Sequence, residues 1–178
     1  MSHTVYKSLM AAALVALLGG CGLTQTVTDA TTSTARAIFY KQVKTLHLDF
    51  SGRVAMNTNT TDMSALSVPT LVRVYQLRDS KALEQATYER LVSDDDSVLS
   101  ADLLDKRAVV VKPGEGAQLN VPMDKDAQFV AVAALFRSPD TQINTWRLTL
   151  MRDDLDPDQA RVIELGDNRL TLRPLAKE

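Results

Sequence analysis

Three aspartates at alternate positions, Asp154, Asp156 and Asp158, are spaced like the opening of a calcium loop. Such a loop turns sharply on a glycine at its sixth position and closes with a bidentate glutamate at its twelfth. Counted from Asp154, those positions hold Gln159 and Leu165, so the run reads as an acidic, solvated turn between strands. Asp94, Asp95 and Asp96 form a second acidic run. It lies between two helical stretches, where carboxylates cap the free N–H groups of the second. The histidines are His3 and His47, and Cys21 is the only cysteine. A zinc site gathers three or four thiolates, imidazoles or carboxylates, and no Cys/His cluster exists here to hold one. No G-x-S-x-G turn presents a nucleophile, and no glycine-rich loop cradles a phosphate. Carboxylate pairs of the glycosidase kind assemble in space from distant positions, so a hydrolase built from scattered Asp and Glu stays open without any positive sign of catalysis.

Cys21 is the residue with a defined chemical context. Lys7, with His3 nearby, gives a short cationic start, and residues 9–18 are unbroken Leu, Met, Ala and Val. A stable spanning helix needs about 20 apolar residues; this shorter run has the proportions of a secretory signal peptide. Leu18-Gly19-Gly20-Cys21 resembles the lipobox of bacterial lipoproteins. The resemblance implies cleavage before Cys21, a diacylglycerol on its thiol and a further acyl chain on the freed amine. No other cofactor is expected. A cysteine can also serve as a small buried apolar residue, but that leaves the order of charge, apolar run and small residues without a cause. One acyl chain binds a membrane only marginally, at about 0.8 kcal/mol per methylene, so two or three form a lasting anchor. Position 22 is Gly, whereas an Asp there retains many such proteins at the inner membrane. By resemblance, the destination is the periplasmic side of the outer membrane.

These assignments divide the chain into a signal over residues 1–20, a lipidated cysteine with a Thr-rich flexible tether over 21–35, and one domain over 36–178. With a single cysteine, the domain rests on its core and not on disulfides. A formal net charge of −2 gives no basic field for nucleic acid. A short helix is expected at 35–43. Leu46, Leu48, Phe50, Val54 and Met56 then alternate with polar residues, the period of a strand with one buried face, and Gly52 marks a bend in it. Residues 70–77 form a second strand with apolar groups on both faces. A helix follows from Asp79 or Ser80 to about 92 and another near 98–104, a helical insert at about 80–104. Strands return at 107–112, 117–121, 128–136, 143–151, 161–165 and 169–173. Pro113-Gly114-Glu115-Gly116 and Gly166-Asp167-Asn168 are turns. About eight strands with turn signals between them predict an all-β fold with a helical insert, a two-sheet β-sandwich. Trp146 and Tyr75 are expected in its core, His47 on its surface.

One connection is long. Adjacent strands are usually joined by about 2–5 residues, yet residues 57–68, NTNTTDMSALSV, separate the first two. Long loops on a rigid sheet are where binding surfaces lie. Met63, Leu66 and Val68 can dock on a partner or fold back onto the protein's own edge.

The lipobox, the long first strand, the Pro69-x-Leu71-Val72-Arg73-Val74-Tyr75-Gln76-Leu77 run and the helix after it together resemble the outer-membrane lipoprotein family of type VI secretion systems (TssJ, SciN, VasD). Pro113-Gly114, the strand ending in Ala134-x-Phe136-Arg137, and Trp146-Arg147 fit the same order. The resemblance implies a transthyretin-like sandwich. It implies a scaffold, not an enzyme, that anchors the secretion membrane complex by binding the periplasmic C-terminal region of the inner-membrane protein TssM, with no small-molecule substrate. In that family the loop joining the first two strands matters for the contact. Here that loop maps to Asn57, Thr58, Asn59, Thr60, Thr61, Asp62, Met63, Ser64, Ala65 and Leu66. The alternative is a periplasmic lipoprotein that binds a small molecule or peptidoglycan.

Overall fold

The computed structural model describes residues 42–59 and 66–175. The signal, Cys21, the tether and most of the helix expected at 35–43 lie outside the described residues.

Thr45–Gly52 (β1) buries Leu46, Leu48 and Phe50 while its polar neighbours stay half-exposed, the signature of a strand with one wet face. It runs antiparallel to Gly116–Pro122 (β4) and parallel to Arg161–Gly166 (β7). Arg169–Leu172 (β8) completes a sheet of order β4-β1-β7-β8. Thr70–Leu77 (β2), Leu103–Val111 (β3), Phe129–Ala134 (β5) and Arg147–Met151 (β6) form the second sheet, antiparallel throughout, in the order β3-β2-β5-β6. The sheets enclose one core, to which the first gives Leu46, Leu48, Phe50, Ile163 and Leu165 and the second gives Val72, Val74, Val130, Val132 and Leu150. The fold is the predicted β-sandwich.

β2 is apolar on both faces because both are covered. Val72 and Val74 meet the core, whereas Arg73 and Tyr75 point toward the second of two short helices, Lys81–Gln85 (α1) and Tyr88–Leu99 (α2). Opposite Arg73 and Tyr75 on β5 stand Ala133 and Ala131, small enough for α2 to lie close.

The helices differ from the expected pair. The first ends at Gln85, since Ala86 is extended (ψ 134°), and α2 starts after Thr87, whose Oγ1 accepts the Arg90 N–H at 3.4 Å. Arg147 holds the break: its guanidinium donates to the carbonyls of Leu83, Glu84 and Ala86, acceptors that a helix end leaves without partners. Leu103 and Leu104, expected to be helical, begin β3 instead. The ladder to β2 and burial on the sheet override local propensity there.

β1 also stops earlier than the alternation suggests. Gly52 is its last residue, and Val54, expected on the buried face, is 78% exposed. The turn after β3 packs on Gly52 so closely that a Cβ there would sit 2.4 Å from the Lys112 carbonyl oxygen. At the other sheet, β6 begins at Arg147, and Ile143, expected within it, is 72% exposed in the preceding turn.

Candidate functional site

Strand directions sort the connections to two poles. The described chain enters at Gln42, beside the β4–β5 and β6–β7 connections. There Arg152 donates to the carbonyls of Asp124 (2.8 Å), Ala127 (2.7 Å) and Val43 (2.9 Å), joining the entering segment to both sheets. The opposite pole carries the β1–β2, β3–β4, β5–β6 and β7–β8 connections. The β1–β2 connection is bonded to each of the other three. The Gly114 N–H donates to the Gly52 and Arg53 carbonyls at 3.1 and 3.3 Å, and the Asp167 N–H donates to Ala55 at 3.2 Å. The Arg137 N–H donates to Asn57 Oδ1 at 2.7 Å.

Within this loop the structure separates the expected contact residues into distinct roles. Asn57 is only 3% exposed and takes a left-handed backbone (φ 49°). Besides receiving Arg137, its side chain donates from Nδ2 to the Pro69 carbonyl at 3.2 Å, closing the loop's two ends on each other. Asn57 is thus turned inward, its amide bonded within the chain. Thr58 is held through its carbonyl, which accepts Asn168 Nδ2 at 2.8 Å. The Met56 N–H reaches Ser67 Oγ at 3.3 Å. Asn59 is half-exposed, and Leu66 is 66% exposed. Thr60, Thr61, Asp62, Met63, Ser64 and Ala65 lie outside the described residues. The sequence reading missed Asn57 and Asn168 as structural pins. Their signal was the residue type, since Asn enters the left-handed region more readily than other side-chain-bearing residues.

A second polar constellation sits beneath α2. Asp95, 7% exposed, accepts from Tyr75 Oη at 2.9 Å and pairs with Arg73 and Lys106, each at 3.2 Å. Burial pushes the Asp95 carboxyl up, but the bonds from Tyr75 and Lys106 and the charge of Arg73 outweigh it and hold the group below the ordinary carboxylate range. Burial, reinforced by Asp95, pushes the Tyr75 hydroxyl well up, so it stays a neutral donor. The acidic run is expected to cap a separate helix near 98–104, but that stretch is the end of α2, a turn and the start of β3. Asp94 lies at a kink within α2 and caps the turn after it, accepting the Ser97 N–H at 3.2 Å. Asp95 turns inward, and the kink at Asp94 (φ −155°) is where the two roles part.

The other polar candidates are occupied locally. Asp154 accepts the Met151 N–H at 2.9 Å, and Asp156 accepts from Asp158 and Gln159 at 2.7 and 3.1 Å. Among the described residues, no group of three or more His, Cys, Asp or Glu is placed to hold a metal ion. His47 shares a 2.6 Å bond with Asn120 on the neighbouring strand. Trp146 is fully buried under Tyr88, edge to face at 5.1 Å, with the Arg147 guanidinium 4.9 Å from its ring centre.

Comparison with known proteins matches this architecture. The family described as "Type VI secretion lipoprotein, VasD, EvfM, TssJ" matches residues 44–168. A chain in a structure described as a type VI membrane complex is 41% identical, with a TM-score of 0.70 over 75% of this chain and 100% of that one. A chain in a structure described as the T6SS protein TssM C-terminal domain from EAEC is 38% identical, with a TM-score of 0.66 and the same coverage, 75% and 100%. Serratia marcescens Lip, described as a membrane bound component of the type VI secretion system, shares the fold at 24% identity, a TM-score of 0.65 and coverage of 75% and 100%. No curated protein matches the sequence. A family match over the first seven of the eight strands, on a sandwich with a long tied loop, means that the chain belongs to the type VI secretion lipoprotein family.

Proposed function

We propose that this protein anchors a type VI secretion membrane complex at the outer membrane, with acyl chains on Cys21 in the lipid and the loop at 57–68 on the periplasmic C-terminal region of TssM. The observation that carries this reading is the polarity of the sandwich. The chain arrives at one pole, and the long loop is tied down at the other. A protein anchored through its N-terminal segment thus presents that loop at the end of the domain away from its entry point. Relatives of 41% and 38% identity in structures described by a membrane complex and by TssM support the same partner.

The arrangement also makes mechanical sense. Between the entry at Gln42 and the loop, the covalent path is essentially β1, eight residues hydrogen-bonded to β4 on one side and β7 on the other. A strand already stands near its full extension, about 3.3 Å per residue, so a pull between lipid and partner meets no slack. The role requires no catalysis. It requires that the lipid resist extraction, which two or three chains provide, and that the loop keep its grip.

The deciding experiment is calorimetry of residues 22–178 against the periplasmic fragment of TssM from the same organism. Saturable binding that is lost when residues 60–65 are replaced by a Gly/Ser linker is the expected result. Absence of binding at high micromolar concentration would overturn the TssM assignment. Binding unaffected by the replacement would move the contact elsewhere on the sandwich.

A further inference from the structure

The residues that grip a partner and the residues that aim the gripping loop need not be the same, and here they are separable. The described arms of the loop, 57–59 and 66–69, are fixed by two asparagines from different parts of the chain. Asn57 joins one arm to the other through the Pro69 carbonyl and to the second sheet through the Arg137 N–H. Asn168 belongs to the β7–β8 turn, 110 positions away, and its Nδ2 donates to the Thr58 carbonyl at 2.8 Å. Both asparagines have positive φ, 49° and 58°. At such angles an Asn costs little and still offers an amide, whereas a Gly costs less and offers nothing.

Building on the docking role above, we infer that Asn57 and Asn168 are positioning residues for partner binding: they hold the loop's arms in one arrangement before the partner arrives. Ordering a loop at the moment of binding subtracts from affinity, and holding it beforehand recovers that loss. Asn57 does so from a buried position, and Asn168 does so through a bond to a backbone carbonyl.

Asn168 provides a clean separation of aiming from stability. Asp167 and Asn168 are the two central residues of a tight hairpin turn, both at positive φ (50° and 58°), between the paired Gly166 and Arg169. Asn168→Gly makes the turn Asp-Gly, the pairing such turns favour most, while deleting the amide that reaches Thr58. The melting temperature should hold or rise. Amide exchange across 57–59 and 66–68 should quicken, and affinity for the TssM fragment should fall, each roughly fivefold, the worth of one neutral hydrogen bond. Asn57→Gly, which removes two bonds, should weaken binding further but also lower the melting temperature.

A merely structural asparagine would let affinity follow stability; the proposal requires Asn168→Gly to pull them apart. Faster exchange with unchanged affinity would overturn the positioning role while leaving the docking role intact. Unchanged exchange would show that Asn168 does not hold the loop, and that too overturns it. If the unaltered domain fails to bind the TssM fragment, the docking role itself falls and the proposal falls with it.

Discussion

Asp95 shows how much one residue can carry in a fold of this size. Its carboxylate is 9% exposed and meets Tyr75, Arg73 and Lys106, whose cationic side chains are 21% and 33% exposed. Asp95→Asn keeps the shape and removes the charge that faces both cations, although Lys106 keeps its pair with Asp96 at 2.6 Å. Breaking a fully buried pair costs about 3–5 kcal/mol; because these cations reach water, a loss of roughly 2–3 kcal/mol is expected in urea unfolding at pH 7. The pH dependence follows from the depressed folded-state pKa of Asp95. A group shifted this way stabilises the fold fully above its unfolded pKa, about 3.9, and the contribution fades as pH falls through the folded value. The gap between the parent and Asp95→Asn should therefore be flat from pH 7 to about 5 and shrink below about 4. A gap of equal size at pH 3 would assign the effect to packing.

At the scale of elements, the junctions at the far pole decide where strands stop. β1 ends because the β3–β4 turn closes on Gly52, whose N–H donates to the Glu115 carbonyl at 2.9 Å. A Cβ at Gly52 would meet a backbone oxygen at 2.4 Å and the Met56 sulfur at 2.9 Å, and a backbone oxygen cannot rotate away. Gly52→Ala should cost roughly 1–3 kcal/mol by overpacking, lowering the melting temperature by several degrees. A melting curve that does not move would mean that the turn shifts freely. Replacing residues 60–65 by a Gly/Ser linker should behave in the opposite way. None of the described pins to the arms is touched, so thermal stability should change by less than about 0.5 kcal/mol while TssM binding disappears. A large drop in stability would instead make the loop a cover for the protein's own edge.

For the whole molecule, anchoring and folding are expected to be independent. The described domain, with its entry tied at Val43 by Arg152, has its own core, so Cys21→Ser should leave its circular dichroism and melting unchanged. The variant should fractionate away from the outer membrane, and effector release by the secretion system should cease. Normal release by a non-lipidated protein would refute the anchoring role. Retention at the membrane without lipid would show that protein contacts alone hold it there.

The sequence by itself determined the class of fold, because strand period and turn chemistry are local. The alternation over Leu46, Leu48 and Phe50 and the doubly apolar run Thr70–Leu77 emerge in the structure as β1 and β2, and Gly166-Asp167-Asn168 as a hairpin turn. It also singled out the long loop and carried the resemblance to a lipobox, which is legible only as a linear pattern. Tertiary structure decided what depends on neighbours distant in the chain. Gly52 ends its strand because of Lys112, α1 stops where Arg147 collects its carbonyls, and Leu103 and Leu104 join a sheet because β2 offers them a ladder. Asp95 turns from cap to buried anion because Arg73, Tyr75 and Lys106 converge on it from two strands. Asn57 and Asn168 become pins because hydrogen bonds join residues that folding brings together, whatever their separation in sequence.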